Sequence, residues 1–228
     1  MKPVALALLA FLFYTCLNAQ QNLYTVKPGE SIDKTLAASI KFHYPAFTQG
    51  IVFFRDGTTS YALLDYNLLN GEIQFIAPKG DTLAVANEAT TKYITINKDT
   101  FFYDKLFVQL VTGNANAKLA KKETLAIGDI KKIGAYDQAT STSSITTISS
   151  VNSNGRVTNL TEQKEVTLSK KITYYIGDTY NHFLPASKKN IVKLFGQKQR
   201  AIEQYLKDNK TAFDKEEDLK SLIVFLAE

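Results

Sequence analysis

The chain has no tryptophan, two histidines, one methionine, five prolines and a single cysteine in 228 residues. Each shortage removes a class of chemistry. Cys16 lies within the first nineteen residues, just past the first apolar run, so the sequence beyond it holds no thiol for a disulfide, a thiolate metal site or a cysteine nucleophile. His43 and His182 stand far apart and outside any metal-ligand spacing, which takes the usual parts away from zinc sites and His-based triads. A Gly-x-Ser-x-Gly elbow, a phosphate-binding glycine loop and a dinucleotide fingerprint are also missing. Beyond the first apolar run, the longest ones, at residues 51–54 and 222–226, suit a buried strand and a core-facing helix rather than a membrane span. No cofactor is implied, and the stability of the mature chain has to come from packing.

What is present begins with export. Lys2, an apolar run over residues 4–14 and Leu17-Asn18-Ala19 before Gln20 match a secretory leader over residues 1–19, too short to serve as a bilayer anchor. The expected cut follows Ala19. Cys16 as a lipidated first residue is the alternative, but Phe13-Tyr14-Thr15 lacks the leucine and small-residue approach of a lipoprotein signal. Cleavage leaves about 210 residues, the size of one domain or one domain with a small appendage. The chain carries 27 basic against 22 acidic residues. That mild excess is spread along the sequence, with no dense basic block of the kind that binds nucleic acid.

Residues 20–43 read as a leader with a short helix near 32–40, and residues 44–183 as an antiparallel β domain. Seven candidate strands lie at 51–55, 59–65, 72–76, 82–86, 92–96, 101–103 and 106–111. Asp56-Gly57, Asn70-Gly71 and Pro78-Lys79-Gly80-Asp81 supply turn chemistry between them. With no helix-length gap for parallel crossovers, the expected class is α+β: a mainly antiparallel meander curling towards a barrel or sandwich. Residues 138–161 read as a mobile loop, because ten of the fourteen positions from 140 to 153 are Ser or Thr. Strands are expected again at 166–168 and 172–176.

Residues 184–228 form the expected C-terminal helical hairpin packed on the domain. From 188 to 208, Ile191, Leu194, Phe195, Ile202, Tyr205 and Leu206 share one helical face, with Asn209 as the stop. Asp214 offers a cap for a second helix striped by Leu219, Leu222, Ile223 and Leu226. The opposite face of the first helix carries Lys189, Lys193, Arg200 and Lys207, the candidate surface for an anionic partner; solvated surface is the plainer reading.

Other candidates have plain readings beside them. Tyr24-Thr25-Val26-Lys27-Pro28-Gly29-Glu30-Ser31-Ile32 resembles the opening of a LysM peptidoglycan-binding repeat, yet Phe42-His43-Tyr44-Pro45 and a meander follow where that module needs helix, loop, helix and strand. Asp178 and His182 meet if residues 177–183 are helical, but Gly177-Asp178 and Leu184-Pro185 favour a structural loop. Asp65, Glu72, Asp81, Glu88 and Asp99 mostly fall at strand ends or solvent faces, and nothing linear makes two of them converge as a glycosidase pair. The sheet is crowded with Phe and Tyr, as a core with cross-strand pairs or as a ligand platform.

Several segments together resemble an uncharacterised family of exported bacterial proteins: Gly50-Ile51-Val52-Phe53-Phe54-Arg55-Asp56-Gly57, Asp65-Tyr66-Asn67-Leu68-Leu69, Gly71-Glu72-Ile73-Gln74-Phe75-Ile76, Gly80-Asp81-Thr82-Leu83 and Phe101-Phe102-Tyr103-Asp104. The similarity continues through Lys131-Lys132-Ile133-Gly134-Ala135-Tyr136 and the terminal helices. The resemblance implies a bacterial envelope setting and brings no functional residues. The resulting expectation is an exported, non-catalytic binding or structural component of the periplasm or outer envelope, partnered by another envelope protein or a glycan. A hydrolase of envelope polymers and a glycan- or peptidoglycan-binding module are its rivals.

Overall fold

The computed structural model describes residues 23–27, 29–133, 139–141 and 164–227. Residues 1–19, where the secretory leader and Cys16 are expected, and most of the Ser/Thr-rich stretch lie outside the described residues.

The strands are β1 (Leu23–Val26), β2 (Thr48–Phe54), β3 (Thr59–Asn67), β4 (Glu72–Ile76), β5 (Thr82–Ala84), β6 (Thr91–Ile96), β7 (Asp99–Tyr103), β8 (Phe107–Gly113), β9 (Lys118–Ile133), β10 (Ala139–Ser141), β11 (Lys164–Gly177) and β12 (Phe183–Pro185). Two single-turn helices, α1 (Ile32–Thr35) and α2 (Ala38–Lys41), follow β1, and α3 (Lys188–Leu194), α4 (Gln199–Asn209) and α5 (Glu216–Ala227) close the chain. All strand pairing is antiparallel, in the order β1-β11-β9-β8-β7-β6-β2-β3-β4-β5, with β10 added to β9 and β12 to β11.

The seven strands expected in the meander are all present. Between β2 and β3 the connection is longer than a two-residue hairpin. Asp56 Oδ1 accepts from Thr58 N at 2.9 Å and from Thr58 Oγ1 at 2.7 Å, while Gly57 takes φ +90°, a left-handed conformation that a side chain would oppose. The sheet bends without closing. Val26 of β1, Leu168 of β11, Ile94 of β6, Leu64 of β3 and Ile73 of β4 belong to one buried cluster, so strands from both ends of the order enclose the same core. Ile32 and Leu36 from the N-terminal segment are buried in it too. That segment is therefore a built part of the sheet and its core, with β1 paired to β11, and does not continue as a LysM module.

Four further expectations are corrected. The segments at 166–168 and 172–176 are one 14-residue strand, β11, because its partner β9 runs continuously beside it. The polar stretch beginning at 138 is not loop throughout: Ala139–Ser141 pairs with Lys131, Lys132 and Ile133 on the edge of β9 that β8 leaves free. The first terminal helix is broken, since α3 ends at Leu194, Phe195 leaves helical geometry and Gly196 opens a single 3₁₀ turn before α4. The second piece, α4, does end at Asn209 as expected, with Lys210 capping it in the left-handed conformation at φ +47°. Finally, α5 starts two residues after Asp214, and the carboxylate that accepts from the entering loop is Asp218, at 2.9 Å from Ala212 N.

The terminal helices pack on one end of the sheet. Ile191, Ile202, Leu219, Leu222, Ile223 and Leu226 join Leu119 of β9 and Ile176 of β11 in a second buried cluster. Tyr205 and Phe225 stack between α4 and α5 with ring centroids 4.4 Å apart. A third, smaller cluster gathers Val108, Ala120, Tyr175 and Phe183. Ala120 and Leu119 are neighbours on β9, and strand alternation sends them to opposite faces. Phe183 and its neighbours thus lie on the face away from the helices.

Candidate functional site

Two groupings of polar and aromatic side chains have enough organisation to work as a site. One is a knot of charges where the N-terminal segment meets β3 and β9. His43 Nδ1 lies 3.3 Å from Glu123 Oε2, and Lys170 Nζ of β11 lies 3.4 Å from Glu123 Oε1. The contact with His43, followed by that with Lys170, lowers the Glu123 carboxyl to about 2. Asp65, expected near solvent, is fully buried, because the chain at His43 and Tyr44 covers that end of β3. Its Oδ1 accepts from Tyr66 N at 2.7 Å and Tyr44 N at 3.2 Å, while Oδ2 has no partner among the described residues. Burial raises Asp65 to about 6 against these bonds.

Tyr44 donates its hydroxyl to Asp99 Oδ2 at 2.6 Å, and burial first, then Asp99, raises its pKa. Tyr66 Oη is buried without a partner among the described residues, and burial lowers Lys122 nearby. None of these groups lines either of two open depressions on the outer sheet face. Leu125 N of β9 also donates to Leu68 O at 2.9 Å, so the same region is pinned by backbone. The arrangement fits a fastening between the two halves of the bent sheet.

The second grouping is on the outer sheet face. Phe53 and Tyr93 are register partners on β2 and β6, with stacked rings 4.4 Å apart. Phe102 of β7 continues the row at 6.2 Å from Tyr93, and Phe183 of β12 at 5.6 Å from Phe102. The first three rings are half-buried and the fourth is buried. Two residues along the same face, Ile51 lies between Tyr61 and Thr95 in register, and Gln49 pairs with Leu63. These residues line an open depression of about 500 Å³ together with Asn97. Tyr61 is 75 % exposed and Leu63 44 %, an apolar presentation that folding alone does not require.

At the other end of the aromatic row, Tyr93 and Phe102 floor a recess of about 450 Å³ whose polar margin includes Lys92, Lys118, Thr179 and Asn181. The turn that carries Asn181 is well fixed. Asp178 Oδ1 accepts from Tyr180 N and His182 N, each at 2.9 Å, and Asp178 O accepts from Asn181 N at 3.2 Å. Asp178 and His182 thus meet through backbone bonds, as a structural loop. Lys118 Nζ reaches the same turn, donating to Asp178 O at 3.2 Å, and burial lowers its pKa.

Lys189 and Lys193 are exposed on α3, Arg200 and Lys207 on α4, and they make no ion pair among the described residues. The break at residues 195–198 divides them between two helices, so they do not form the single helical stripe drawn from periodicity. Among the described residues there is no group of three or more His, Cys, Asp or Glu able to hold a metal ion, and no helix long and apolar enough to cross a membrane. The outer-face row was legible only as aromatic abundance; its register needed the strand pairing. No protein-family profile, curated protein or solved structure matches the chain.

Proposed function

We propose that this is an exported, non-catalytic binding protein of the bacterial envelope that engages its partner through the outer face of the sheet. The observation that carries this reading is the part-exposed row Phe53–Tyr93–Phe102 beside the open depression at Tyr61 and Leu63. Aromatic rings with accessible faces provide large contact area at little conformational cost. Five carboxylates in the sheet and its loops favour binding over hydrolysis, because they already serve structure: Asp65, Asp104 and Asp178 accept from backbone amides, Asp99 from Tyr44, and Glu123 pairs with His43 and Lys170. Export rests on the Lys2 and residue 4–14 pattern.

Fractionation of cells carrying a tagged chain tests both parts. The protein is expected in the envelope, starting at or near Gln20 by mass spectrometry. A double variant, Tyr61→Ser with Leu63→Ser, should fold and be exported yet be released from its envelope partner. An intact Met1 in the cytoplasm would overturn export. Undiminished retention of the double variant would overturn the assignment of that face.

A further inference from the structure

We infer that the recess between Tyr93, Phe102 and the turn at Asn181 binds a sugar ring carrying a carboxylate, within an acidic glycan. This inference rests on the binding reading above and names the ligand class at one end of the same face.

Three features of the recess specify the chemistry. Its floor is aromatic, formed by Tyr93 and Phe102. The flat, C–H-bearing side of a pyranose covers such a ring surface and leaves its hydroxyls directed outward, whereas a fully apolar ligand would bury the polar margin without replacing its hydrogen bonds. The second feature is Asn181, which lines the recess and whose Oδ1 is buried without a partner among the described residues. An acceptor left open in the folded chain calls for a donor, and a sugar hydroxyl supplies one once the part-exposed Asn181 side chain turns towards the recess. Asn181 is held at φ +63° by a turn already closed by the Asp178 bonds, so its backbone is positioned before any ligand arrives.

The third feature is charge. The charged lining residues are Lys92 and Lys118, both cationic. Lys92 is exposed and makes no ion pair among the described residues. Lys118 donates to Ala115 O at 3.4 Å and Asp178 O at 3.2 Å, which fixes its ammonium at the margin with a third N–H still to give. Asp178 lies close enough to Lys118 to offset its charge, so the unpaired Lys92 beside the aromatic floor is the residue that selects an anionic over a neutral ring.

Calorimetric titration of the purified chain tests this with a tetrasaccharide of alternating uronic acid and N-acetylated sugars, and with the same tetrasaccharide after its carboxyls are reduced to alcohols. The acidic form should bind about tenfold more tightly, the discrimination of one well-placed charge contact. Lys92→Gln, at an exposed position, should abolish that preference and leave the neutral form unchanged. Asn181→Gly, which keeps the left-handed turn, should weaken both by about tenfold through loss of one acceptor. Circular dichroism establishes that both variants are folded. Saturable binding of neither sugar, equal binding of both, wild-type affinity in both variants, or equal affinity for a poly-glutamate peptide would overturn the inference. An exported chain whose retention depends on Tyr61 and Leu63 but which ignores both sugars would overturn this site alone.

Discussion

His43 and Glu123, eighty positions apart in the chain, bring Nδ1 and Oε2 to 3.3 Å and tie the segment entering β2 to the middle of β9. Lys170 holds the other carboxylate oxygen from β11. Removing the charge with Glu123→Gln should cost about 2 kcal/mol at pH 7, as for a part-buried, hydrogen-bonded ion pair that loses one partner's charge. Because the folded-state pKa is lowered, the contribution is complete above the unfolded carboxyl value and lost as pH falls towards about 2. Urea melts of the variant and wild type should therefore converge as pH is lowered from 5 to 3. A constant difference would show that Glu123 acts through packing.

Asp65 should have the opposite sign. Burial raises its folded-state pKa to about 6, so the folded protein holds that proton more tightly than the unfolded chain. Its contribution is fully favourable below the unfolded value and is lost as pH rises through about 6. Tyr44, Tyr66 and His43 face it through backbone donors or charge, and Asp65→Asn keeps an acceptor for the two amides. Wild type should gain on the order of 2–3 kcal/mol relative to Asp65→Asn between pH 7 and pH 4, the linkage of a shift of this size. Parallel stability curves would contradict the placement of Asp65.

The helices should prove integral to the fold. Leu222 is fully buried among Leu119, Ile176 and the α3–α5 stripe, so Leu222→Ala should cost about 2–5 kcal/mol. Lys193 is exposed, and Lys193→Ala should stay within about 0.5 kcal/mol. Denaturant midpoints compare the two directly. Equal, negligible effects would mean that the helices do not pack on the sheet.

Gly177 lies under the Phe183 ring, where an added Cβ would collide with Cε1 and Cδ1 of that ring. Gly177→Ala has to displace that ring from the cluster with Val108, Ala120 and Tyr175. The expected cost is about 1–3 kcal/mol, as for overpacking elsewhere, with a changed near-ultraviolet dichroism from the linked Phe102 and Tyr93 rings. An unchanged melt and spectrum would place Phe183 elsewhere.

The meander was readable because its turns carry Gly and Asn at fixed places and its strands are β-branched or aromatic. β9 was not expected. Its Lys118-Leu119-Ala120-Lys121-Lys122-Glu123 start has the composition of a helix, and what makes it a strand is the long antiparallel partnership with β11, set by tertiary pairing rather than local preference. The helical stripe at Ile191, Ile202 and Leu222 was visible from period alone, whereas the break at Gly196 was not, since the apolar spacing runs through it. Asp65 was misplaced for a related reason. Alternation along β3 puts it outside, and only the chain returning at Tyr44 buries it. The outer-face site depends on register across β2, β6 and β7 and on a turn from residues 178–182, separations that periodicity does not carry.

Residue-level footprinting with a photoactivated carbene, performed on the chain in intact envelopes and on the purified chain, tests the outer-face assignment most directly. Tyr61 and Tyr93 should be strongly labelled in the purified protein and protected in the envelope, while Lys193 and Lys207 on the helices label equally in both. Equal labelling of Tyr61 and Tyr93 in the two states, with protection moving to the helices, would contradict the account.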